Sequence, residues 1–225
     1  MSYVALMQKR VSLCVAGLAA LIPAAAAEPS SPVVVELFAS QNCPACPQAH
    51  RNMRSVEKDR DDVLILTWSV DYWDYLGKPD PMAMPEAKAR QEAYADAMEM
   101  RAPYTPQSIY NGVKECPGPR KRDVLRNINL QNERTPQRRL TLTVTDDTAS
   151  LVGEVGAPVD VVLVEYLSAS EHDTGMVNPV SKVTKIGTWQ GGLANYNFEC
   201  GAACAVLAQN SESREIYGAQ RVAAQ

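Results

Sequence analysis

The sequence has 225 residues, of which 46% are hydrophobic and 21% are charged, and its formal net charge is −4. This length predicts one globular domain with an elaboration, or two small domains. The negative charge argues against nucleic acid or another polyanion as a partner.

The first 27 residues have the pattern of a secretory signal. Lys9 and Arg10 precede an apolar run at 11–22, and small residues follow up to Ala27, where we expect cleavage. The run is too short for a spanning helix, which needs roughly 20 apolar residues, and no later segment is long enough. We therefore expect an exported protein, periplasmic or secreted, with no stable membrane insertion and a net charge of −6 after cleavage.

A buried strand followed by a Cys-x-x-Cys pair is the main chemical signal. Residues 33–38 are apolar except for one, and three of them are β-branched, which is typical of a buried strand. Pro44 and Pro47 suit the first turn of a helix. The helix dipole then favours a thiolate at Cys43, the predicted nucleophile, and Cys46 resolves the mixed disulfide.

Glu36 is the one carboxylate in this predicted strand. One interpretation is that it accepts the proton of Cys46 during catalysis. The other is that the strand twists enough for Glu36 to reach water.

Three further cysteines follow the predicted signal, and their pairing is open. Cys14 lies inside the signal and is discarded with it. Among Cys116, Cys200 and Cys204 we expect one structural disulfide and one free thiol. Cys200 and Cys204 are close enough to pair, but Cys116 with either one is also possible.

A polar helix is predicted at 48–60, and a second strand at 63–70. His50 follows Cys46 by one turn and could influence the thiols, although its polar neighbours favour a solvated histidine. A helix between two such strands makes them parallel. The loop at 71–77 therefore emerges at the same sheet edge as the cysteines.

That loop contains three aromatic and two acidic residues. Tyr72 and Trp73 could form a platform beside Cys43 that accepts a partner's chain. Alternatively, the loop is a cap that packs against the following helix, which we predict from Pro85 to about Arg101.

The rest of the chain is predicted to be rich in β-strands. Thr105 and Pro106 precede a short strand that ends in an Asn-Gly hairpin turn. From residue 140 the hydrophobic period becomes two, which predicts a hairpin at 140–155. Further strands are predicted at 159–167, 180–188 and 203–209.

A Cys-x-x-Cys at a strand-to-helix junction, with a later Thr-Pro before a strand, resembles the thioredoxin fold. Four blocks, at 35–47, 70–77, 89–95 and 104–107, resemble the bacterial secreted family catalogued as domain of unknown function 1223, a thioredoxin-like group. The resemblance implies an α/β fold of the thioredoxin type, to which the strands predicted after residue 140 add a β-rich C-terminal extension. It also implies that Pro106 is cis and faces the cysteines, and that the backbone of Thr105 pairs with a substrate chain.

The expected organisation is therefore a signal peptide at 1–27, a thioredoxin-like domain with a helical insertion at 30–135, and a β-rich portion at 136–225. This last portion either packs on the first sheet or continues it.

Three functions are compatible with this reading. The first is an exported thiol–disulfide oxidoreductase that acts on protein or small-molecule thiols and disulfides, with no cofactor and no metal site. The second is a non-catalytic binding module in which Cys43 and Cys46 form a permanent bridge. The third is a copper-handling protein, because two thiolates suit Cu(I).

Overall fold

A computed structural model describes residues 31–134, 139–168, 171, 173–201 and 203–222. The predicted signal peptide, with Cys14, lies outside the described residues, as does His172. The helices are α1 (Cys46–Asp59), α2 (Pro85–Ala97) and α3 (Lys121–Glu133), with a short 3₁₀ helix at Asp74–Leu76. The strands are β1 (Val33–Ala39), β2 (Val63–Ser69), β3 (Gln107–Tyr110), β4 (Lys114–Pro117), β5 (Arg139–Val144), β6 (Thr148–Glu154), β7 (Val159–Tyr166), β8 (Val180–Trp189), β9 (Ala194–Asn197), β10 (Ala203–Asn210) and β11 (Ile216–Arg221).

The first sheet has the strand order β2-β1-β3-β4. β1 and β2 are parallel, as the helix between them predicts, and β3 runs antiparallel to β1. All seven residues of β1 and of β2 are buried. This burial on both faces explains why both strands are nearly continuous apolar runs, since alternation is expected only where one face meets water.

The two faces of β1 contribute to different hydrophobic cores. Val35 and Leu37 pack with residues of α1 and α3, and the two cysteines that follow β1 belong to this core. Val34 and Phe38 face the other way, toward α2 and the strands of the C-terminal part. Because side chains alternate along a strand, Glu36 lies on this second face.

The C-terminal strands form two sheets of their own, β11-β10-β7-β8 and β5-β6-β9. A single isolated bridge, Thr67 to Pro179, links this part to the open edge of β2. The main contact is packing, because residues of β7 and β10 share the core of Val34 and Phe38. The sequence pattern did not predict β9 and β11, and it extended α2 about four residues too far, since Glu99 has a φ of 53°.

The turn between β3 and β4 fits tightly against the turn between β10 and β11. Asn111 accepts a hydrogen bond from the Ile216 amide at 2.9 Å, and its side chain accepts one from the Val34 amide at 2.8 Å. Gly112 has a φ of 71°, and a Cβ there would lie 2.0 Å from the carbonyl oxygen of Arg214. Only glycine fits this position. This close approach, together with the hydrogen bond from Ile216, means that the hairpin turn also joins the two parts of the protein.

A buried ion pair connects β1 to α2. The Arg90 Nε donates to Glu36 Oε1 at 2.6 Å, and the Nη2 donates to Oε2 at 3.1 Å. Tyr94 donates its hydroxyl proton to the same carboxylate. Gln209 of β10 completes the network, because its Oε1 accepts from Arg90 Nη1 at 3.0 Å and its Nε2 donates to the Tyr94 hydroxyl at 2.8 Å.

This network contradicts both sequence-based interpretations of Glu36. The carboxylate is fully buried, so it does not reach water, and Arg90 neutralises it, so it is not an unpaired base. Burial opposes the charge on the guanidinium, but the combined interactions with Glu36 and Tyr94 outweigh this effect and raise the pKa of Arg90. Glu36 also faces away from the core that contains Cys46.

No helix in the described part of the chain is both long enough and apolar enough to cross a membrane.

We predict that Arg90→Gln lowers the free energy of unfolding by about 3–5 kcal/mol, because it leaves the Glu36 charge buried without its partner. Urea unfolding followed by circular dichroism measures this change. Lys88→Gln is the matched control, since it removes a positive charge from an exposed position on the same helix. We expect the control to change stability by less than about 0.5 kcal/mol. Equal effects of the two variants would mean that the ion pair does not hold α2 in place.

Candidate functional site

Cys43 and Cys46 lie where β1 gives way to α1, and they form a disulfide with a Cα–Cα distance of 5.4 Å. The Cys43 amide donates to the Ser40 carbonyl at 3.2 Å, and the Cys46 amide donates to the Cys43 carbonyl at 3.1 Å. Cys46 is the first residue of α1, and Pro47 lies in its first turn as predicted. Pro44 lies in the preceding turn rather than in the helix.

Both cysteines are buried in the disulfide form. Cys43 is 2% exposed, and Cys46 has no exposed surface. They share a core with Val177 from the C-terminal part, and Trp73 packs against this core. An attacking sulfur would therefore need neighbouring groups to move before it reached Cys43.

The aromatic loop after β2 contacts α2, Thr105 and the core that contains the cysteines. Tyr72 donates to Gln91 Oε1 of α2 at 3.3 Å, as expected for a cap on that helix. Trp73 donates its Nε1 proton to Thr105 Oγ1 at 2.6 Å and packs beside the cysteine core. Tyr75 stacks on Trp73 with 6.3 Å between ring centroids and is 77% exposed, so the loop also presents an aromatic surface to solvent.

Thr105 and Pro106 lie directly before β3, and the peptide bond between them is cis. The next residue, Gln107, pairs with Phe38 near the end of β1. This register brings Thr105 and Pro106 to the same end of the sheet as the segment that leads into Cys43. The Pro106 carbonyl accepts a hydrogen bond from the Gly118 amide at 3.1 Å.

His50 is buried, which contradicts the expectation of a solvated histidine. It is 8% exposed, and neither ring nitrogen has a hydrogen-bond partner among the described residues. The pKa of His50 is lowered to about 4, chiefly by burial and also by the positive charge of Arg54, while Asp80 opposes the shift. The prediction failed because a loop distant in sequence lies beside this face of α1, where the Gly175 carbonyl accepts a hydrogen bond from Arg54.

The remaining cysteines adopt one of the pairings that the sequence left open. Cys200 and Cys204 form a disulfide, and Cys116 is a buried free thiol. The Cys116 sulfur lies 3.2 Å from the Tyr110 hydroxyl oxygen. Burial raises the pKa of the Cys116 thiol, which disfavours the reactive thiolate.

Several polar residues that position the site were missed from the sequence. Asn42, next to Cys43, donates to Asp74 Oδ1 at 3.2 Å and to the Lys78 carbonyl at 2.8 Å. Asp80 accepts the Gln41 amide proton at 2.7 Å. The prolines on both sides of Asp80 indicate an ordered turn, and this was the available signal. These bonds tie the segment before Cys43 to the loop after β2.

No group of three or more His, Cys, Asp or Glu side chains suited to a metal ion occurs within the parts of the chain that the structure describes.

The model of a family described as protein of unknown function, DUF1223, matches residues 34–213. The chain belongs to the DUF1223 family. No curated protein has a significant match to it.

Two solved structures resemble this DUF1223 protein. One is the X-ray crystal structure of an Agrobacterium tumefaciens protein from a structural genomics programme. It is 27% identical, covers 87% of this chain and 95% of its own, and has a TM-score of 0.71. The other is HBP35 of Porphyromonas gingivalis, with 16% identity, coverage of 85% of this chain and 74% of its own, and a TM-score of 0.52. At 16% identity the second likeness concerns the fold alone.

We predict that His50 titrates near pH 4 in the folded protein, compared with an ordinary value of 6.5. Its folded pKa is depressed, so the unfolded chain binds more protons between these values, and stability falls as the pH drops from about 6.5 toward 4. The loss is on the order of 3 kcal/mol. This loss is measured with urea as the difference in unfolding free energy between the wild type and His50→Gln, which lacks the titrating ring.

The difference between the two proteins removes the contributions of the carboxyl groups that both retain. If the gap in unfolding free energy stays constant between pH 7 and pH 4, the imidazole is not held in its neutral form.

Proposed function

We propose that this DUF1223 protein is an exported thiol–disulfide oxidoreductase that acts through Cys43 and Cys46. The observation that carries the proposal is the Cys43–Cys46 disulfide at the junction of β1 and α1. A dithiol at a helix N-terminus is favoured as a redox centre, because the helix dipole and unpaired amides lower the pKa of the first thiol.

The proposal includes a thioredoxin-like fold for residues 30–135. It is supported by the order strand, Cys-x-x-Cys, helix and parallel strand, followed by an antiparallel hairpin and a further helix. The segment between β2 and β3, which contains α2, is then an insertion. Residues 136–225 are the β-rich extension.

In this proposal a substrate disulfide is reduced in two displacement steps. The Cys43 thiolate attacks one substrate sulfur, the substrate S–S bond breaks, and one substrate thiolate leaves. The Cys46 thiolate then attacks the Cys43 sulfur, and the second substrate thiolate leaves. The protein loses two electrons and gains its disulfide, and the reverse sequence oxidises a substrate dithiol.

Thr105, Pro106 and the aromatic loop are assigned to substrate binding. The Trp73–Thr105 hydrogen bond joins the loop to the segment before β3, and the register of β3 supports its location at the cysteine end of the sheet. In this assignment the Thr105 backbone pairs with an extended substrate, and Tyr72 and Trp73 form a wall of the substrate-binding site beside Cys43.

The proposed location is the periplasm or the extracellular space. The two disulfides are compatible with an oxidising compartment. The pattern of the first 27 residues supports export.

We predict that the Cys43–Cys46 couple has a reduction potential between roughly −120 and −270 mV, the range of working redox proteins. The protein is equilibrated in dithiol buffers of known potential and alkylated, and its peptides are then weighed. Peptide masses separate this couple from Cys200–Cys204, so the cysteines of the second disulfide need not be replaced.

Activity is measured as exchange with a model disulfide. We expect Cys43→Ser to abolish exchange and Cys46→Ser to trap a mixed disulfide on Cys43. Cys116→Ser is the matched control, because it removes a buried thiol outside the proposed reaction. If Cys43→Ser exchanges as fast as the wild type, the proposal fails.

A non-catalytic binding module is the second candidate, and the burial of Cys43 favours it. A sulfur that is 2% exposed is protected from attack, as a structural bridge requires. A potential below about −300 mV would support this candidate instead. Copper handling is not carried further, because no third ligand accompanies the two thiols in the described part of the chain.

A further inference from the structure

A cavity of about 340 Å³ lies beside the cysteine pair. Ser40 and Gln41, just before Cys43, line one side of it. One face of α1 lines a second side, and the loop at 174–176 from the C-terminal part lines a third. Pro47, which follows Cys46, also lines it, so residues on both sides of the Cys-x-x-Cys segment line the cavity.

Two arginines give the cavity a positive charge. Arg51 and Arg54 both line it, and neither forms an ion pair with a carboxylate among the described residues. Arg51 donates to Gln48 Oε1 at 2.7 Å, and Arg54 donates to the Gly175 carbonyl. These two acceptors are neutral, so no carboxylate of the described residues pairs with either guanidinium.

His50 supplies the second, independent observation. It lines the cavity and is 8% exposed, and both of its ring nitrogens lack a hydrogen-bond partner among the described residues. An unsatisfied buried polar group is energetically costly, and a ligand that accepts its proton would remove this cost. A neutral imidazole has one such donor.

Asp80 is the negative group that acts on His50. Its two carboxylate oxygens accept the amide protons of Gln41 and Met82, at 2.7 and 2.9 Å, and it does not line the cavity. It therefore leaves the two arginines available to an incoming anion.

We propose that this cavity binds the carboxylate of a small organic acid, held by Arg51 and Arg54 with the imidazole of His50 as a further donor. Guanidinium groups pair with carboxylates through two parallel hydrogen bonds. The volume is at the small end of ligand pockets, which are about 300–1,000 Å³, so it suits a small molecule rather than a folded partner.

The substrate class follows if the proposed function also holds. A thiol or disulfide that carries a carboxylate a few bonds from its sulfur would bind here with the sulfur directed toward Cys43. This DUF1223 protein would then prefer small acidic thiols and disulfides to neutral ones of the same size.

The binding site is tested without redox chemistry. The oxidised protein is titrated with propionate, and the ring signals of its two histidines are followed by NMR at constant ionic strength and pH. His50→Gln identifies the His50 signals. We expect propionate to shift them in a saturable way, and the uncharged propionamide to leave them unchanged.

Charge is tested with paired double variants. Arg51→Gln/Arg54→Gln is expected to weaken propionate binding about tenfold or more. Arg122→Gln/Arg126→Gln is the control, because it removes two exposed arginines that do not line the cavity. If propionate causes no saturable shift, or if both double variants weaken binding equally, the site is overturned.

Substrate preference is tested on the reduced protein. Its rate constants with 3,3′-dithiodipropionate and with neutral 2-hydroxyethyl disulfide are compared as a ratio, which cancels any change in Cys43 reactivity. We expect Arg51→Gln/Arg54→Gln to lower this ratio about tenfold.

The two assays separate the two proposals. Saturable propionate binding without exchange supports the site and refutes the oxidoreductase. Exchange with an unaltered ratio, together with no propionate shift, refutes the site and leaves the oxidoreductase standing. Binding together with an unaltered ratio supports the anion site and overturns the proposed substrate class.

Discussion

The arrangement of the protein depends on a charged pair in the middle of its core. Glu36 lies in the central region of the first sheet, where desolvation of a lone carboxylate would be prohibitive. Arg90 from α2 and Gln209 from β10 supply the compensating contacts. Three segments separated by up to 173 positions in sequence must therefore meet at one point. A correct hydrophobic pattern alone would not require that meeting, so the network specifies which face of the first sheet receives the C-terminal part.

Much of the fold could be predicted because the signals were local. The β-branched runs at β1 and β2, the proline at the start of α2 and the Asn-Gly turn after β3 all depend on neighbouring residues. Long-range contacts left no such signal. His50 has the polar neighbours of a solvated position, yet it is buried and lines the same cavity as residues 174–176, which are more than 120 positions away. Glu36 likewise gave no indication that its partner was Arg90, since an arginine in an alanine-rich helix is usually exposed.

In the candidate site, too, the features set by local sequence could be predicted and those set by long-range contacts could not. The positions of Cys43 and Cys46 followed from a motif, and the common sheet edge followed from the rule for parallel strands. The extent of burial did not follow, because it depends on Trp73 and on Val177 from the C-terminal part. The β-rich extension is thus a component of the site as well as a neighbour of it. Residues up to 135 alone would lack one wall of the cavity and part of the cover over the disulfide.

The two ends of the described chain are fastened to each other. Ser31 accepts the Ala219 amide proton at 2.8 Å, and Arg221 donates to the Val63 carbonyl at 2.7 Å. During synthesis from the N-terminus, Ser31 and Val63 cannot make these contacts until residues 219–221 are available. The face of β1 that carries Val34 and Phe38 therefore stays partly uncovered until β7, β10 and β11 have been made, whereas the opposite face can already pack against α1 and α3. An apolar face that is uncovered in this way makes the partly synthesised chain prone to aggregation.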